Sequence, residues 1–347
     1  MNDPIEKIDS DFIAQKAGVS RCTVSKVLNG YSDVGEKTRQ KVLSLVEEYG
    51  YSPNLAGRLL AGKSVETIGL FFILRQDAPY SFADDPIVDM MLGNVAEAAS
   101  ENGYLTLTVI IRDMDTESQN RIRTIFTQKR IDGGIFIGAC TNEPIIEELV
   151  GKGYTLGILD YPRPLQHEPN RLIVNYDPNV GEKAVDHLVS RGYSRIFSLQ
   201  GEQKRFDGQC KYYSFCRGMA KHGLDIPDGW TLFTSFNVYG AYTAAYNFLS
   251  STGKLPEAVF CANDHIAYGF LNATRKLGIR VPEDIAVIGS DDAMPSRYGS
   301  PSVTSFRVEF RLMLRTLTRG LIEYISNPAD SPLFAEFESV LVDRESC

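Results

Sequence analysis

Two groups of residues in this sequence are of types and spacings that could do chemistry. The first is the run VSRCTVSKVLN at 19–29. Val24 and Val27 recur at helical spacing with Leu28 beside them, which leaves Arg21, Cys22, Ser25 and Lys26 on the opposite face. Ser20 is a hydroxyl N-cap at the start of the run. A short amphipathic stretch at 9–17 precedes it across the turn Ala17-Gly18-Val19-Ser20, so two short helices meet at a glycine. A helix of this size that presents Arg, Lys and Ser at one end fits a DNA major groove. The second group lies at the ends of apolar runs. Asp160 closes TLGILD, Asn263 and Asp264 close AVFCAND, and Asp291 and Asp292 close IAVIGSDD. Carboxylates and an amide at strand ends can bind several hydroxyls at once, as a sugar requires. Asp264 is equally suited to starting the helix after it, and Asp292 reads as structural.

These residues need a scaffold, and the pattern supplies one. Val42, Leu43, Val46 and Tyr49 give a third amino-terminal helix an apolar face, with Gly50 at its end. The stretch at 52–64, SPNLAGRLLAGKS, reads as a short hinge helix, with Gly57 in its middle. A helix so short is marginal by itself and forms where something holds it. From Glu66 onward strands alternate with amphipathic helices, and Gly103, Gly153, Gly192, Gly223 and Gly278 close helices before the next apolar element. Such alternation implies parallel sheets covered on both faces. Periodicity alone leaves open two doubly wound subdomains or one barrel.

Composition narrows the function. The chain of 347 residues carries a net charge of −8, which opposes non-specific nucleic-acid binding by the whole molecule. Residues 12–43 nevertheless hold six basic and two acidic side chains, a local basic patch suited to phosphate. The six cysteines include no C-x-x-C pair and the four histidines are scattered, so neither a metal site nor a disulfide framework is expected. No cofactor motif, G-x-S-x-G elbow or Walker sequence is present, and an enzyme is not expected. No apolar run reaches membrane-spanning length and the amino terminus has no signal-like apolar region, which makes the cytoplasm the expected location.

Over nearly its whole length the chain resembles the lactose-repressor (LacI/GalR) family of bacterial transcription regulators. The resemblance rests on AGVSRCTVSKVLNG, EYGYSPN, LLAGKS, TIGLFF, IDGGIFIGA, CANDHIAYG, LGIRVPEDIAVIGSDD and ESVLVDRES, in that order. It implies a three-helix helix-turn-helix headpiece (1–52), a hinge helix (53–63) and a periplasmic-binding-protein-like α/β core (64–347). The core would be two doubly wound parallel-sheet subdomains, 64–175 plus 292–305 and 176–291 plus 306–347, crossed near 176–177, 290–292 and 305–307. By the same resemblance Arg21, Cys22 and Lys26 read base edges, while Ser20, Thr23, Ser25 and Asn29 contact phosphates. Leu60 is the minor-groove wedge. Asp160, Lys211, Phe236, Asn263 and Asp291 hold a small effector.

The implied protein is a homodimeric repressor of carbohydrate-utilisation genes on a near-palindromic operator, controlled by a sugar-like effector. The alternative is a member controlled by a purine corepressor or a partner protein. A soluble sugar-binding protein without DNA is the reading from another class, and the complete headpiece opposes it. Three departures from the family pattern bear on this. Lys211 stands where an arginine is common, Ile87-Val88 replaces an aromatic pair after Pro86, and Phe12 replaces an aspartate.

Overall fold

The computed structural model describes residues 8–51, 63–74, 86–164, 168–328 and 333–347. The hinge expected at 53–63, with Leu60, lies outside them except for Lys63. Contacts divide the chain into two units, Met1–Val65 and Glu66–Cys347.

In the amino-terminal unit, α1 (Ser10–Ala17) starts on Asp9, whose carboxylate accepts from the amides of Asp11 and Phe12. Gly18 closes α1 with φ +70°, a conformation that only glycine adopts without steric cost. Helix α2 (Arg21–Leu28) starts on Ser20, whose hydroxyl accepts from Thr23 N at 3.1 Å. Helix α3 (Glu36–Glu48) completes a small core of Ile13, Val24, Val27 and Val42. Phe12 joins that core and meets Tyr49 edge-on at 5.0 Å. Packing therefore takes the place of the polar contact that the substituted aspartate implied. Leu43 is 41% exposed, so the apolar face of α3 is narrower than its spacing predicts.

The second unit holds two six-stranded sheets. The first contains β1 (Thr67–Ile73), β2 (Leu105–Ile111), β3 (Gly133–Ile137), β4 (Leu156–Leu159), β5 (Arg171–Asn175) and a late strand, β11 (Phe334–Glu336). All pair in parallel in the order β11-β5-β4-β3-β1-β2. Helices α4 (Pro86–Glu101), α5 (Thr116–Thr127) and α6 (Pro144–Gly151) connect the strands.

The second sheet contains β6 (Ile196–Gln200), β7 (Thr231–Phe233), β8 (Ala258–Cys261), β9 (Ala286–Asp291), β10 (Thr304–Arg307) and β12 (Val340–Val342). Only β12 runs antiparallel, at the edge beside β10. Its helices are α7 (Val180–Ser190), α8 (Phe206–Lys221), α9 (Val238–Ser251), α10 (Asp264–Leu277) and the short α11 (Met294–Tyr298). The last long helix, α12 (Phe310–Ser326), returns to the first sheet and packs Met313, Leu314, Leu317 and Leu321 there. The two sheets rule out a barrel. All five glycines expected to end helices have positive φ.

The crossings correct one expectation. The chain passes between lobes at 176–177 and at 308–309, beside the expected 305–307, but the third crossing falls at 337–339 and not at 290–292. Strand β10 pairs with β9 from Thr304↔Ile288 to Arg307↔Asp291. Residues 292–305 therefore stay in the second lobe, and 310–328 and 333–336 belong to the first. The physical reason is the pairing: β10 completes the ladder of β9, whereas the apolar face of α12 is buried only on the first sheet. Asp177 ties the first crossing to the last. Its Oδ2 accepts from Ser339 N at 3.0 Å, Ser339 Oγ at 2.7 Å and Lys183 Nζ at 2.6 Å. Burial alone would raise this carboxyl, but those bonds hold it below its ordinary range.

Candidate functional site

On α2 the three candidate base-reading residues occupy one side of the helix. Arg21 and Cys22 are exposed and Lys26 is half-exposed, while Val24 and Val27 are buried behind them. The hydroxyls and amide expected at phosphates are linked to one another. Ser20 Oγ and Thr23 Oγ1 lie 2.9 Å apart, and Asn29 Nδ2 donates to Ser25 Oγ at 3.2 Å. These links hold the polar rim of α2 in place before any partner arrives. The two cations are also engaged: Lys26 Nζ is 2.5 Å from Asp33 Oδ2, and Arg21 Nη1 is 3.5 Å from Asp11 Oδ2.

In the second unit a cavity of about 130 Å³ lies between the carboxyl ends of the two sheets, where open α/β folds bind ligands. At about 10–15 Å³ per enclosed water on the same measure, it has room for a small metabolite. Asp160, Lys211, Phe236, Asn263 and Asp291 all line it. The first lobe contributes the ends of β1, β3 and β4 with Ile87, Val88 and Met91 of α4. Gly138 lets the β3 end turn close against β1: its φ is +82°, and a Cβ there would sit 2.4 Å from Ile73 O.

Asp160 is 6% exposed at the end of β4, with φ +59°. Its Oδ1 accepts from Tyr176 N at 3.0 Å, and its Oδ2 is buried without a hydrogen-bond partner. Burial first, then the charge of Asp207, pushes this carboxyl well above its ordinary range. A shift in that direction favours the protonated form, and a protonated carboxyl can donate as well as accept. Asp291 ends β9 with φ +116°, outside the usual range for a side-chain-bearing residue. Such backbone is found where a site holds it in place. Asn263 uses its side-chain oxygen to cap α10, accepting from Ile266 N at 2.9 Å, so its amide nitrogen is the group left for the cavity.

The other strand-end acids are structural. Asp264 is fully buried and accepts from Ala293 N at 2.7 Å, Ser296 Oγ at 2.6 Å and Ser305 Oγ at 2.7 Å. Burial still raises its carboxyl to about 6. Asp292 binds Arg297, Arg307 and Arg344.

The second lobe adds residues that the sequence reading passed over. Asp207, 7% exposed, enters from the first turn of α8. Arg205 Nε is 3.3 Å from Asp207 Oδ1 but out of line for a hydrogen bond, which leaves that buried oxygen unsatisfied. Lys211 Nζ is 4.0 Å from Asp207 Oδ2 and 5.7 Å from the ring centres of both Tyr176 and Phe236. Arg205 lies over the same Phe236 ring at 5.1 Å. Phe236 is set by Gly201 just after β6, where a Cβ would come within 2.0 Å of the ring. The signal for Arg205 and Asp207 was present: they follow RIFSLQG, a strand end like the other three.

A helix-turn-helix unit, joined in one chain to a two-lobed α/β core with a lined cleft, defines a DNA-binding regulator with a periplasmic-binding-protein-like core. Comparison with known proteins agrees. Residues 11–54 match the model of bacterial regulatory proteins of the lacI family, and residues 185–347 match the periplasmic binding protein-like domain. A HTH-type transcriptional repressor PurR of Haemophilus influenzae is 29% identical over 91% of this chain and 90% of its own length. The HTH-type transcriptional regulator DegA of Bacillus subtilis is 28% identical over 84% of each. The lac repressor dimer bound to operator and an anti-inducer superposes with a TM-score of 0.79 at 23% identity, covering 98% of this chain and 99% of that one. The chain carries a helix-turn-helix domain of the lacI family of bacterial regulatory proteins followed by a periplasmic-binding-protein-like domain, and it is a DNA-binding transcriptional regulator. Among the described residues no group could hold a metal ion, and no helix is long and apolar enough to cross a membrane.

Proposed function

We propose that this protein is a cytoplasmic, homodimeric repressor whose operator affinity is set by a neutral, polyhydroxylated effector in the cleft. The single observation that carries the ligand class is the pair of buried, unsatisfied carboxyl oxygens at Asp160 and Asp207. The Asp160 oxygen costs about 1–3 kcal/mol until it finds a partner, the Asp207 oxygen is held only by the out-of-line Arg205 contact, and vicinal hydroxyls can bond to both. Phe236 offers an apolar face beside them, and Lys211 and Arg205 balance the local charge. In support, the regulator CelR in a cellobiose complex has a similar fold, with a TM-score of 0.73 at 25% identity over 98% of this chain and all of that one.

Arg21, Cys22 and Lys26 read base edges in this proposal, Ser20, Thr23, Ser25 and Asn29 hold phosphates, and Leu60 wedges the minor groove. Two headpieces related by two-fold symmetry make the operator near-palindromic. An effector that closes the lobes couples to DNA through the linked crossings at Asp177 and Ser339, and the coupling is reciprocal. A purine corepressor is the second reading, favoured by the aromatic lining of Tyr176, Phe236 and Phe310.

A thermal-shift screen of the full chain against neutral sugars, sugar phosphates and purines tests the effector class. Stabilisation by neutral sugars alone supports the proposal. Stabilisation by purines alone replaces it with the second reading. Loss or gain of operator binding with the same compound then identifies inducer or corepressor.

A further inference from the structure

Neither of the two long cations on the outer face of α2 is free. Lys26 Nζ meets Asp33 Oδ2 at 2.5 Å, and Asp33 comes from the turn between α2 and α3. Arg21 meets Asp11, from the first turn of α1, at 3.5 Å. Asp33 neither caps a helix nor enters the core: α3 is capped by Gly35, and the Asp33 side chain is 54% exposed. The hydrogen bond to Lys26 holds this carboxyl below its ordinary range, and the same bond raises the lysine. Both groups are exposed, so the pair adds little to folding. Its consequence falls on whatever approaches Lys26.

We infer that Asp33 is a specificity-determining residue of the DNA interface: it lets Lys26 serve a neutral base edge and deters it from serving a phosphate. The inference rests on the reading of α2 as the base-reading helix. An ammonium group has three donors. With one on Asp33, two remain for the acceptors of a guanine edge, which brings no charge with it. A phosphate at the same ammonium would bring a second anion against the Asp33 carboxylate. Random DNA is bound through phosphates, and so it is this mode that Asp33 weakens. Arg21 with Asp11 repeats the arrangement at longer range.

Fluorescence anisotropy of the full chain on its operator and on random duplex, from 50 to 200 mM salt, tests the inference with Asp33→Asn, Lys26→Ala and the double variant. Freeing Lys26 for a phosphate adds about 0.9 to the salt slope per head. The random-DNA affinity of Asp33→Asn should therefore fall about threefold more steeply per head over that range. Its affinity for random DNA should rise more than its operator affinity, so that discrimination drops. In the Lys26→Ala background Asp33→Asn should have no effect. An Asp33→Asn slope and discrimination equal to wild type overturn the inference. An effect that persists without Lys26 also overturns it, because general charge then explains the change. A silent Lys26→Ala removes the underlying reading of α2 as well, whereas an impaired Lys26→Ala with a silent Asp33→Asn removes only the role of Asp33.

Discussion

Asp160→Asn and Asp160→Ala together test whether the cleft carboxyl acts as a neutral acid. Asparagine has the same outline, keeps an oxygen for the Tyr176 amide, which is 3.0 Å away, and places an N–H donor where the unsatisfied Oδ2 lies. If the bound effector accepts a hydrogen bond from a protonated Asp160, asparagine preserves it and affinity should change by no more than a few-fold. Alanine leaves the effector group buried without a partner, a loss of about 1–3 kcal/mol, or roughly 5–150-fold in Kd. Stability gives a second readout. The folded pKa lies above the unfolded one because of burial. The folded state then binds the proton more tightly, so the wild type loses stability as pH rises from the unfolded value through the folded one. Asp160→Asn has no such loss. The free variant should melt above wild type at pH 7–8, and the gap should close toward pH 4. Calorimetry with the best effector, and melting across pH, check both. Asparagine as damaging as alanine would show that Asp160 binds as an ionised acceptor. A melting gap independent of pH would remove the desolvation argument.

Three further outcomes follow from particular contacts. Gly201→Ala should displace Phe236, since a Cβ would sit 2.0 Å from its ring; we expect a loss of about 1–3 kcal/mol in stability and weaker effector binding with operator affinity retained, measured by calorimetry and anisotropy. Asp177→Ala leaves Lys183 and Ser339 without their carboxylate. It should cost about 1–3 kcal/mol in denaturant unfolding, since Lys183 can turn to solvent, and reduce the effector's influence on DNA, while wild-type coupling in a stable variant would exclude the crossings as the route. Leu60→Ala should impair operator bending and repression but not effector affinity; unchanged bending in a ligation-phasing assay would rule out a wedge.

Much of the scaffold was legible because its signals are local. Ser20 and the five helix-ending glycines are short-range devices, and each works within one turn of its own position. The apolar runs marked the strands for the same reason. The crossing placed at 290–292 failed because strand partnership is not local. A polar strand end reads the same whether the next segment returns to its own sheet, as Thr304–Arg307 does, or leaves it, as Phe310–Ser326 does. The Lys26–Asp33 pair was hidden similarly, since it joins residues seven positions apart across a turn. Asp207 was passed over because it is helical by position and reaches the site only by burial in the cleft.

The strand-end acids show what position alone leaves undecided. Asp160 and Asp264 stand in like contexts, each after an apolar run at the mouth of a sheet. The fold brings three donors to Asp264, from Ala293, Ser296 and Ser305, so its acceptors are consumed and it knots α10 to the two segments that follow β9. It brings one donor to Asp160 and leaves the second oxygen buried in the cavity wall. A buried carboxyl with an unmet oxygen is costly in a protein with nothing bound. The cost is tolerable where a ligand removes it, and removal on binding gives the closed, liganded cleft a stabilisation that the empty one lacks. In the proposed function, the same oxygen that lowers the stability of the free protein supplies part of the free energy for a lobe movement on effector binding.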